Sequence, residues 1–273
     1  MADTDTAADP TVNVLDRGTM RIDLNYPIEG AVTATESNPN PDAVRGDGPV
    51  FNLLIETADR TLLWDTGSHP QAADGHWPAE VYNTFTHHDA ADHPLPAALA
   101  DHEVEIDDID AIVQSHLHLD HAGGLHNFAG TDVPVYVHEQ ELREAYFAAA
   151  TGETGAYIRD DFDHDLAWEP LYGDGGLLFE GIEWIHLPGH TPGLIGLLIE
   201  AGAADGRDLL IVGDLAYTAH NYEDGHPMGR DLLDSRPDWR ASLRRARDIE
   251  RRRDALVIYG HDPEQVAALP ELL

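Results

Sequence analysis

The chain has 273 residues, of which 51 are Asp or Glu and 16 are Lys or Arg, so its formal net charge is −35 with His neutral. This charge argues against a nucleic-acid-binding protein, which needs a basic surface, and against attachment to an anionic membrane. The absence of Cys excludes disulfides, thiolate nucleophiles and zinc sites that contain Cys. Because 42% of the residues are hydrophobic, the chain is expected to fold, and its acidic excess predicts a halophilic protein.

The N-terminal residues 1–11 are polar and acidic and predict a flexible tail. Residues 12–273 contain no linker that would divide them, so we expect a single domain. No segment has the pattern of a secretion signal or the roughly 20 apolar residues of a membrane helix. The sequence therefore predicts a cytoplasmic protein.

Short apolar runs predict strands in both halves of the chain. They lie at residues 51–57, 61–65, 111–115, 133–138, 182–187, 195–200, 209–214 and 255–260. Helices are predicted at residues 139–150 and 237–253, and loops at residues 39–49, 69–95 and 160–165. This alternation predicts an α/β domain with packed sheets and helices outside them.

The helix predicted at residues 237–253 and the residue before it contain eight Arg, half of the positive charge. We interpret them as a solvated face with pairs along the helix, such as Arg244 with Asp248 and Asp248 with Arg252. The alternative is contact with an acidic partner surface, which includes a second copy of the chain.

Four side chains of the kind that bind metals follow the strand at residues 111–115: His116, His118, Asp120 and His121. In an extended turn the first three alternate and can point the same way, whereas His121 can face a second point. This spacing predicts ligands for two adjacent metal ions from one loop.

Three more polar residues stand at the ends of predicted strands or in the turns beyond them: His190, Asp214 and His261. An α/β sheet builds its sites from residues placed in this way. The set of five His and two Asp suffices for two zinc ions and a water, and iron, manganese or cobalt could use the same ligands.

These motifs, with Asp65-Thr66-Gly67 before them and Gly260-His261-Asp262 after them, resemble the metallo-β-lactamase superfamily over about residues 50–265. The resemblance implies an α/β fold of the αββα sandwich type with a dinuclear zinc site at the sheet edge. It assigns His116, His118 and His190 to one zinc ion, Asp120, His121 and His261 to the other, and Asp214 to both. It also implies that Asp65 orients a ligand His.

Within the superfamily the chain resembles the N-acyl homoserine lactonases, which carry a Tyr three residues after the bridging Asp. Tyr217 occupies that position. The resemblance implies opening of the lactone ring by a hydroxide that bridges the two zinc ions. Tyr217 would stabilise the carbonyl oxygen, and Asp120 would relay a proton to the leaving alkoxide.

The same resemblance suggests Met20, Tyr82 and Phe85 as the lining of an acyl-chain groove, with apolar packing as the alternative. Two positions depart from the family pattern. Leu119 stands where the family usually has Phe, and Leu194 stands where many relatives have a second His. Neither is an expected ligand, so the departures concern the pocket wall and the substrate preference.

Three alternatives accompany the interpretation as a lactonase: a broader lactonase or esterase, a β-lactamase or thioesterase of the same fold, and a non-enzymatic metal-binding module. A neutral lactone suits a chain without Lys, because anionic β-lactams and thioesters need cationic anchors. A homodimer is expected from the family.

Overall fold

The computed structural model of the chain describes residues 9–153 and 155–273, together with every side chain in those ranges except that of Arg230. Most of the tail predicted at residues 1–11 lies outside this range, and its last residue, Thr11, begins the first strand. Among the described residues, no helix combines the length and the apolar composition required to cross a membrane.

The first sheet contains seven strands in the described part of the chain. They are β1 (Thr11–Asp23), β2 (Arg45–Glu56), β3 (Thr61–Trp64), β4 (Thr86–His87), β5 (Ala111–Val113), β6 (Pro134–His138) and β7 (Ala167–Leu171). Their order is β4-β1-β2-β3-β5-β6-β7. Strands β3, β5, β6 and β7 run parallel, whereas β1 pairs antiparallel with both β2 and β4.

The second sheet contains five strands in the same described ranges. They are β8 (Gly175–Phe179), β9 (Ile182–His186), β10 (Ile195–Ile199), β11 (Leu209–Gly213) and β12 (Leu256–Tyr259). Their order is β12-β11-β10-β9-β8. Because β10 is antiparallel to both β9 and β11, and β12 is parallel to β11, strands β9, β11 and β12 point the same way.

Seven α-helices accompany the sheets among the described residues. They are α1 (Ala79–Thr84), α2 (Leu95–Ala100), α3 (Glu139–Thr151), α4 (Arg159–Phe162), α5 (Ala219–Glu223), α6 (Arg236–Arg253) and α7 (Pro263–Leu272). Short 3₁₀ turns lie at Ala72–Asp74, Ile106–Asp108, Leu125–Phe128 and Arg230–Leu232. Helix α6 begins at the cap Ser235 and has Pro237 in its first turn, where a missing N–H costs little.

The core has three apolar layers because both faces of each sheet are buried. Alternation along β2 sends Leu53 and Ile55 toward the second sheet and Leu54 toward the helices outside the first sheet. Helices α2, α3 and α4 contribute to that outer layer. Helix α6 packs Trp239 and Leu243 against the outer face of the second sheet. The arrangement is an αββα sandwich, as the family resemblance implied.

Three predicted loops are partly regular in the structure, and these predictions were wrong. The segment at residues 39–49 joins β2 from Arg45 onward, because Arg45–Pro49 pair with the end of β1. Before Leu53, strand β2 has no second neighbour among the described strands, so its Gly and Pro are tolerated. The segment at residues 69–95 contains α1 and β4, and the segment at residues 160–165 contains most of α4.

Outside these loops, six further elements were not predicted: β1, β7, β8, α2, α5 and α7. Strand β1 carries polar residues on its exposed side and a bulge at Gly18, which breaks the alternation expected of a strand. Strand β8 is mostly exposed and begins with two glycines, so it lacks an apolar pattern.

The strand directions bring the carboxyl ends of several strands to one edge of the sandwich. Asp65 follows β3, His116 lies three residues after β5, and His190 lies in the turn after β9. Asp214 follows β11, and His261 lies two residues after β12. The residues singled out from the sequence therefore share one edge.

Candidate metal centre

The structure gathers the seven predicted ligands into groups whose ligand atoms lie within 4.8 Å of one another. One group is His116, His118 and His190, a second is Asp120, His121 and His261, and a third is His116, His121 and Asp214. The first two groups have the membership expected of two separate ions. The third group shares His116 with the first group and His121 with the second, so the first two groups adjoin.

Asp214 lies between these two groups. Its Oδ2 atom is 3.3 Å from His190 Nε2 and 3.4 Å from His121 Nε2, and its Oδ1 atom is 3.2 Å from His261 Nε2. Asp120 lies on one side only, with Oδ2 at 3.5 Å from His261 Nε2 and 3.7 Å from His121 Nε2. Asp214 therefore faces both groups, whereas Asp120 faces only the second group.

The outer nitrogens of four histidines are held by the surrounding fold. The Nδ1 atoms of His190 and His261 lie 2.6 Å from the Leu232 carbonyl oxygen and 2.8 Å from the Pro49 carbonyl oxygen, respectively. Similar bonds hold His116 through Ser115 Oγ and His121 through an Asp65 oxygen. These contacts leave Nε2 of each ring toward the centre.

His118 is oriented differently, because its Nδ1 atom faces the centre at 3.0 Å from His190 Nε2. The His118 ring also packs edge-on against Tyr157, with ring centroids 4.6 Å apart.

The unsatisfied atoms of the centre provide a test of whether a metal fits. The Nε2 atoms of His116, His121 and His261, the Oδ2 atom of Asp120 and both carboxylate oxygens of Asp214 are buried without a hydrogen-bond partner. Buried polar atoms are normally paired, since an unpaired one costs about 1–3 kcal/mol. All of these atoms face one another, and His with carboxylate is the donor set of zinc and similar ions. The residues present therefore fit a metal centre.

Burial and close packing shift the pKa values of these side chains. Burial lowers the pKa of His116 and His118 well below the usual value, and neighbouring histidines lower both pKa values further. Burial alone would lower the pKa of His121, but the carboxylates of Asp214 and Asp120 outweigh it and raise that pKa. Burial would raise the pKa of Asp214, but His121 and His261 hold it well below its usual range. Asp214 is therefore ionised.

Asp65 occupies the supporting position that the sequence suggested. Its backbone is left-handed (φ 57°), and its carboxylate accepts from Ser115 N–H and Ser115 O–H, both at 2.7 Å. The Asp65 Oδ2 atom also lies 2.8 Å from His121 Nδ1. One carboxylate thus orients His121 directly and His116 through Ser115.

Tyr217 lies beside the centre and is 6% exposed. Its ring centroid is 4.6 Å from that of His261 and 5.9 Å from that of His190. Burial raises the pKa of Tyr217 well above its usual value, and the charge of Asp214 adds to the effect. The phenol therefore keeps its proton and can donate a hydrogen bond.

A cleft of about 520 Å³ opens beside His118 and His190. Phe85 lines it, together with Tyr26, Val81 and Leu233. Met20 lies in a separate apolar cavity of about 160 Å³, which Tyr217 and His261 also line. Of the four suggested pocket residues, Phe85 and Met20 thus lie in cavities that adjoin the centre.

The other two suggested pocket residues are placed differently. Tyr82 borders a surface pocket beside Trp77 and packs against the core layer around Met20. Leu119 is 1% exposed and belongs to the same apolar layer.

Sequence reasoning missed three residues that contact the site. Ser115 bridges Asp65 and His116, Tyr157 packs on His118, and Glu141 contacts the ligand-bearing loop. Ser115 adjoins the His-rich motif, which was a usable signal. Glu141 lies in the first turn of a helix, where an acidic residue is common, so its sequence context carried no signal.

Comparison with known proteins gives three findings. The family profile described as the metallo-beta-lactamase superfamily matches residues 45–261. The chain is 33% identical to N-acyl homoserine lactonase AiiB of Agrobacterium fabrum over 267 residues, which cover 94% of this chain and 95% of that protein. It is 30% identical to N-acyl homoserine lactonase AiiA of Bacillus thuringiensis subsp. kurstaki over 226 residues, which cover 80% of this chain and 82% of that protein.

Solved structures share the fold. One is an N-acyl homoserine lactone hydrolase with the product N-hexanoyl-L-homoserine bound at its catalytic metal centre. Its TM-score is 0.79 at 22% identity, covering 98% of this chain and all of that one. Another is AidC, a dizinc quorum-quenching lactonase, with a TM-score of 0.64 at 17% identity, covering 94% of this chain and 90% of that one.

Proposed function

The chain belongs to the metallo-β-lactamase superfamily, and from this premise we propose that it is a metal-dependent hydrolase that opens the ring of N-acyl homoserine lactones. The observation that carries the proposal is the convergence of seven His and Asp side chains, many with unpartnered ligand atoms, beside Tyr217. The family resemblance derived from the sequence is confirmed, and the relatives named lactonases support the choice of substrate.

We assign two metal ions to the centre, with zinc as the first choice. His116, His118 and His190 would hold one ion, and Asp120, His121 and His261 would hold the other. Asp214, which faces both groups, would bind both ions. Two such ions would lower the pKa of a bound water, so that it serves as the nucleophile at neutral pH, and they would polarise the lactone carbonyl.

The chain's own residues orient the reaction. Tyr217 keeps its proton and donates a hydrogen bond to the lactone carbonyl oxygen as negative charge develops there. Asp120 has an oxygen buried without a hydrogen-bond partner, which accepts the proton released by the attacking water.

The atoms balance as a simple hydrolysis. The water oxygen bonds to the carbonyl carbon, and the ring C–O bond breaks. Asp120 passes the proton to the leaving ring oxygen, which becomes the hydroxyl of the N-acyl homoserine. The other product group is a carboxylate, and its proton goes to the solvent.

The cleft supports a neutral substrate with an apolar chain. Its wall includes Phe85, Tyr26, Val81 and Leu233, which suit an acyl chain. Among its described side chains there are several carboxylates and no Arg. The carboxylates belong to Glu80, Glu144, Glu153, Asp231 and Asp234. An anionic substrate would meet repulsion here, whereas a neutral lactone would not.

The experiment that tests the proposal is a substrate panel with the zinc-loaded protein in molar salt. It contains N-acyl homoserine lactones with acyl chains of about 6 to 12 carbons, a simple ester, a thioester and a β-lactam. We expect turnover of the lactones and little turnover of the β-lactam. Turnover of the β-lactam or thioester alone would contradict the proposal and favour those alternatives. Bound metal without turnover of any member would favour a binding module.

The proposal extends to the setting in which the chain works. A net charge of −35 supports a salt-rich cytoplasm, where the repulsion among carboxylates is screened. We also propose a homodimer, to be checked by light scattering in molar salt. A monomer at all concentrations would contradict this part alone.

A further inference from the structure

Glu141 is a fully buried carboxylate in the first turn of α3. Its Oε1 atom accepts from the backbone N–H of Leu117 at 2.9 Å and from the hydroxyl of Tyr157 at 3.0 Å. Its Oε2 atom accepts from the backbone N–H of Gly193 at 3.2 Å. One side chain therefore bonds to three separate segments of the chain.

These segments surround the three-histidine group. Leu117 lies between His116 and His118, and Gly193 ends the turn that carries His190. The turn approaches α3 very closely, because a Cβ atom at Gly193 would lie 2.2 Å from the backbone N of Glu141. Glu141 thus fixes the backbone on both sides of the group.

Tyr157 adds a contact to a ligand side chain. Its ring packs edge-on against His118, while its hydroxyl donates to Glu141. Among these three histidines, His118 is the one that turns Nδ1 toward the centre, and its ring position depends on that aromatic neighbour.

Asp65 plays a related part, since it contacts the second ligand group directly and reaches His116 of the first group only through Ser115. It accepts from Ser115 and contacts His121, which belongs to the second ligand group. The bonds of Glu141 go instead to Leu117, Tyr157 and Gly193.

The hydrogen bonds of Glu141 compensate for the burial of its carboxylate. Burial raises the pKa of Glu141, and the hydrogen bonds that it accepts oppose this effect. A backbone N–H that loses its buried acceptor pays the full cost of desolvation, so a displaced loop would follow the loss of either bond.

We propose that Glu141 is a positioning residue that holds His116, His118 and His190 at the spacing one metal ion requires. This inference rests on the metal centre of the proposed function, and it adds a residue that contacts neither ligand side chains nor substrate. Groups that orient metal ligands typically change metal affinity about 10- to 100-fold when they are replaced.

The test compares Glu141→Gln with Glu139→Gln. Glu141→Gln keeps the volume of the side chain but replaces one acceptor oxygen by an NH₂ group. Depending on the orientation of the amide, this NH₂ group faces the backbone N–H of Leu117 or that of Gly193, so one hydrogen bond is lost in either case. Glu139 lies in the same helical turn and pairs with Arg143, so its substitution is the matched control. Metal-free protein is titrated with Co²⁺, and visible absorption reports each equivalent bound. Thermal unfolding of the metal-free variants is recorded in parallel.

We expect Glu141→Gln to bind one of the two Co²⁺ equivalents about tenfold or more weakly, with an altered spectrum for that ion. The control should match the parent. Parent affinity and spectrum for both ions in Glu141→Gln would overturn the proposal. Equal weakening of both ions together with a lower unfolding midpoint would also overturn it, because that is general destabilisation.

A second variant covers the case in which Glu141→Gln does not fold. Tyr157→Phe removes one donor to Glu141 but keeps the ring against His118. We expect about threefold weaker binding of the same ion, and unchanged affinity would then overturn the proposal. If Glu141→Gln weakens one ion selectively but the parent opens no lactone, only the proposed function is contradicted. A parent that binds fewer than two ions would overturn both.

Discussion

At the scale of single residues, four histidines of the site are held by a hydrogen bond at Nδ1, and their Nε2 atoms face the centre. His190 and His261 use Nδ1 to contact backbone carbonyl oxygens, and His121 uses Nδ1 to contact Asp65. The Nε2 atoms of His121 and His261 are left buried without hydrogen-bond partners. Such an arrangement is costly unless an ion occupies the centre, so the residue chemistry points to metal binding more directly than the fold does.

Replacement of Tyr217 by Phe tests its assigned role in the reaction. The ring stays against His261, but the hydroxyl that donates to the carbonyl oxygen is lost. We expect two bound metal ions and a kcat for lactone opening that falls about tenfold or more. Tyr222→Phe is the matched control, since its hydroxyl bonds to Glu250. An unchanged rate in Tyr217→Phe would show that the assigned role is wrong.

The buried side chain of His87 leads to a prediction of how the free energy of unfolding depends on pH. It is 0% exposed, and burial lowers its pKa from the usual 6.5 to about 4, although the charge of Asp89 opposes the shift. The unfolded chain therefore binds a proton below pH 6.5 that the folded chain rejects down to about pH 4. Above pH 6.5, His87 does not lower the free energy of unfolding. As the pH falls from 6.5 to about 4, that free energy decreases by about 3 kcal/mol.

The measurement is the free energy of unfolding against pH for the parent and for His87→Gln. The variant should lose part of the acid dependence, because it no longer titrates. His88→Gln, at the exposed neighbouring position, should keep the parent profile. Identical slopes for parent and His87→Gln would contradict the assignment.

At the scale of elements, the close contact between two turns determines where the ligands lie. The turn after β3 touches the end of the His-rich loop, and Gly123 makes this possible. A Cβ atom at Gly123 would lie 2.1 Å from the backbone N of His69. The turns that carry Asp65 and His121 are therefore packed backbone to backbone.

Gly123→Ala should push these turns apart. We expect a loss of at least about 2 kcal/mol in the free energy of unfolding and weaker metal binding. Gly176→Ala is the control, because the nearest atom to an added Cβ there would be Trp184 Nε1, at 3.4 Å. Chemical denaturation with metal analysis makes the comparison. Equal stability of the two variants would mean that the backbone contact is not needed.

The elements also show how far the sequence could be interpreted. Most of the buried strands and the His-rich loop were predictable, because buried strands such as β11 are uninterrupted apolar runs followed directly by polar ligands. Strand β1 and Glu141 were not, because β1 depends on its pairing with β2 and Glu141 depends on long-range bonds. Neither dependence leaves a local pattern.

Helix α6 matches its local pattern only in part: Arg240, Arg244, Arg251 and Arg252 are exposed, but the expected pairs are not the ones that form. Its arginines were expected to pair along the helix as a solvated face. In the structure Asp248 pairs with Arg251, whereas Arg245 and Arg247 donate to backbone carbonyl oxygens of other segments. Arg253 reaches Asp208 and Glu200. Much of the positive charge therefore fastens α6 to the body of the protein.

At the scale of the whole molecule, the dominant feature is a net charge of −35 over 273 residues. Repulsion among the carboxylates opposes the compact state, and added salt weakens it as the Debye length falls from about 10 Å at 0.1 M to about 3 Å at 1 M. We expect the unfolding midpoint to rise with KCl across this range. A neutral osmolyte at matched osmolality controls for excluded-solute effects. A midpoint that falls steadily with salt would contradict adaptation to high salt.

The most direct test of the central claim is a zinc titration of the metal-free protein, followed by the rate at which N-hexanoyl homoserine lactone is opened. If the seven side chains form one centre for two ions, the rate should rise to a plateau at two zinc equivalents per chain. It should stay near zero at every zinc concentration in His118→Ala. Full activity without metal, or no lactone opening at two bound equivalents, would contradict the account.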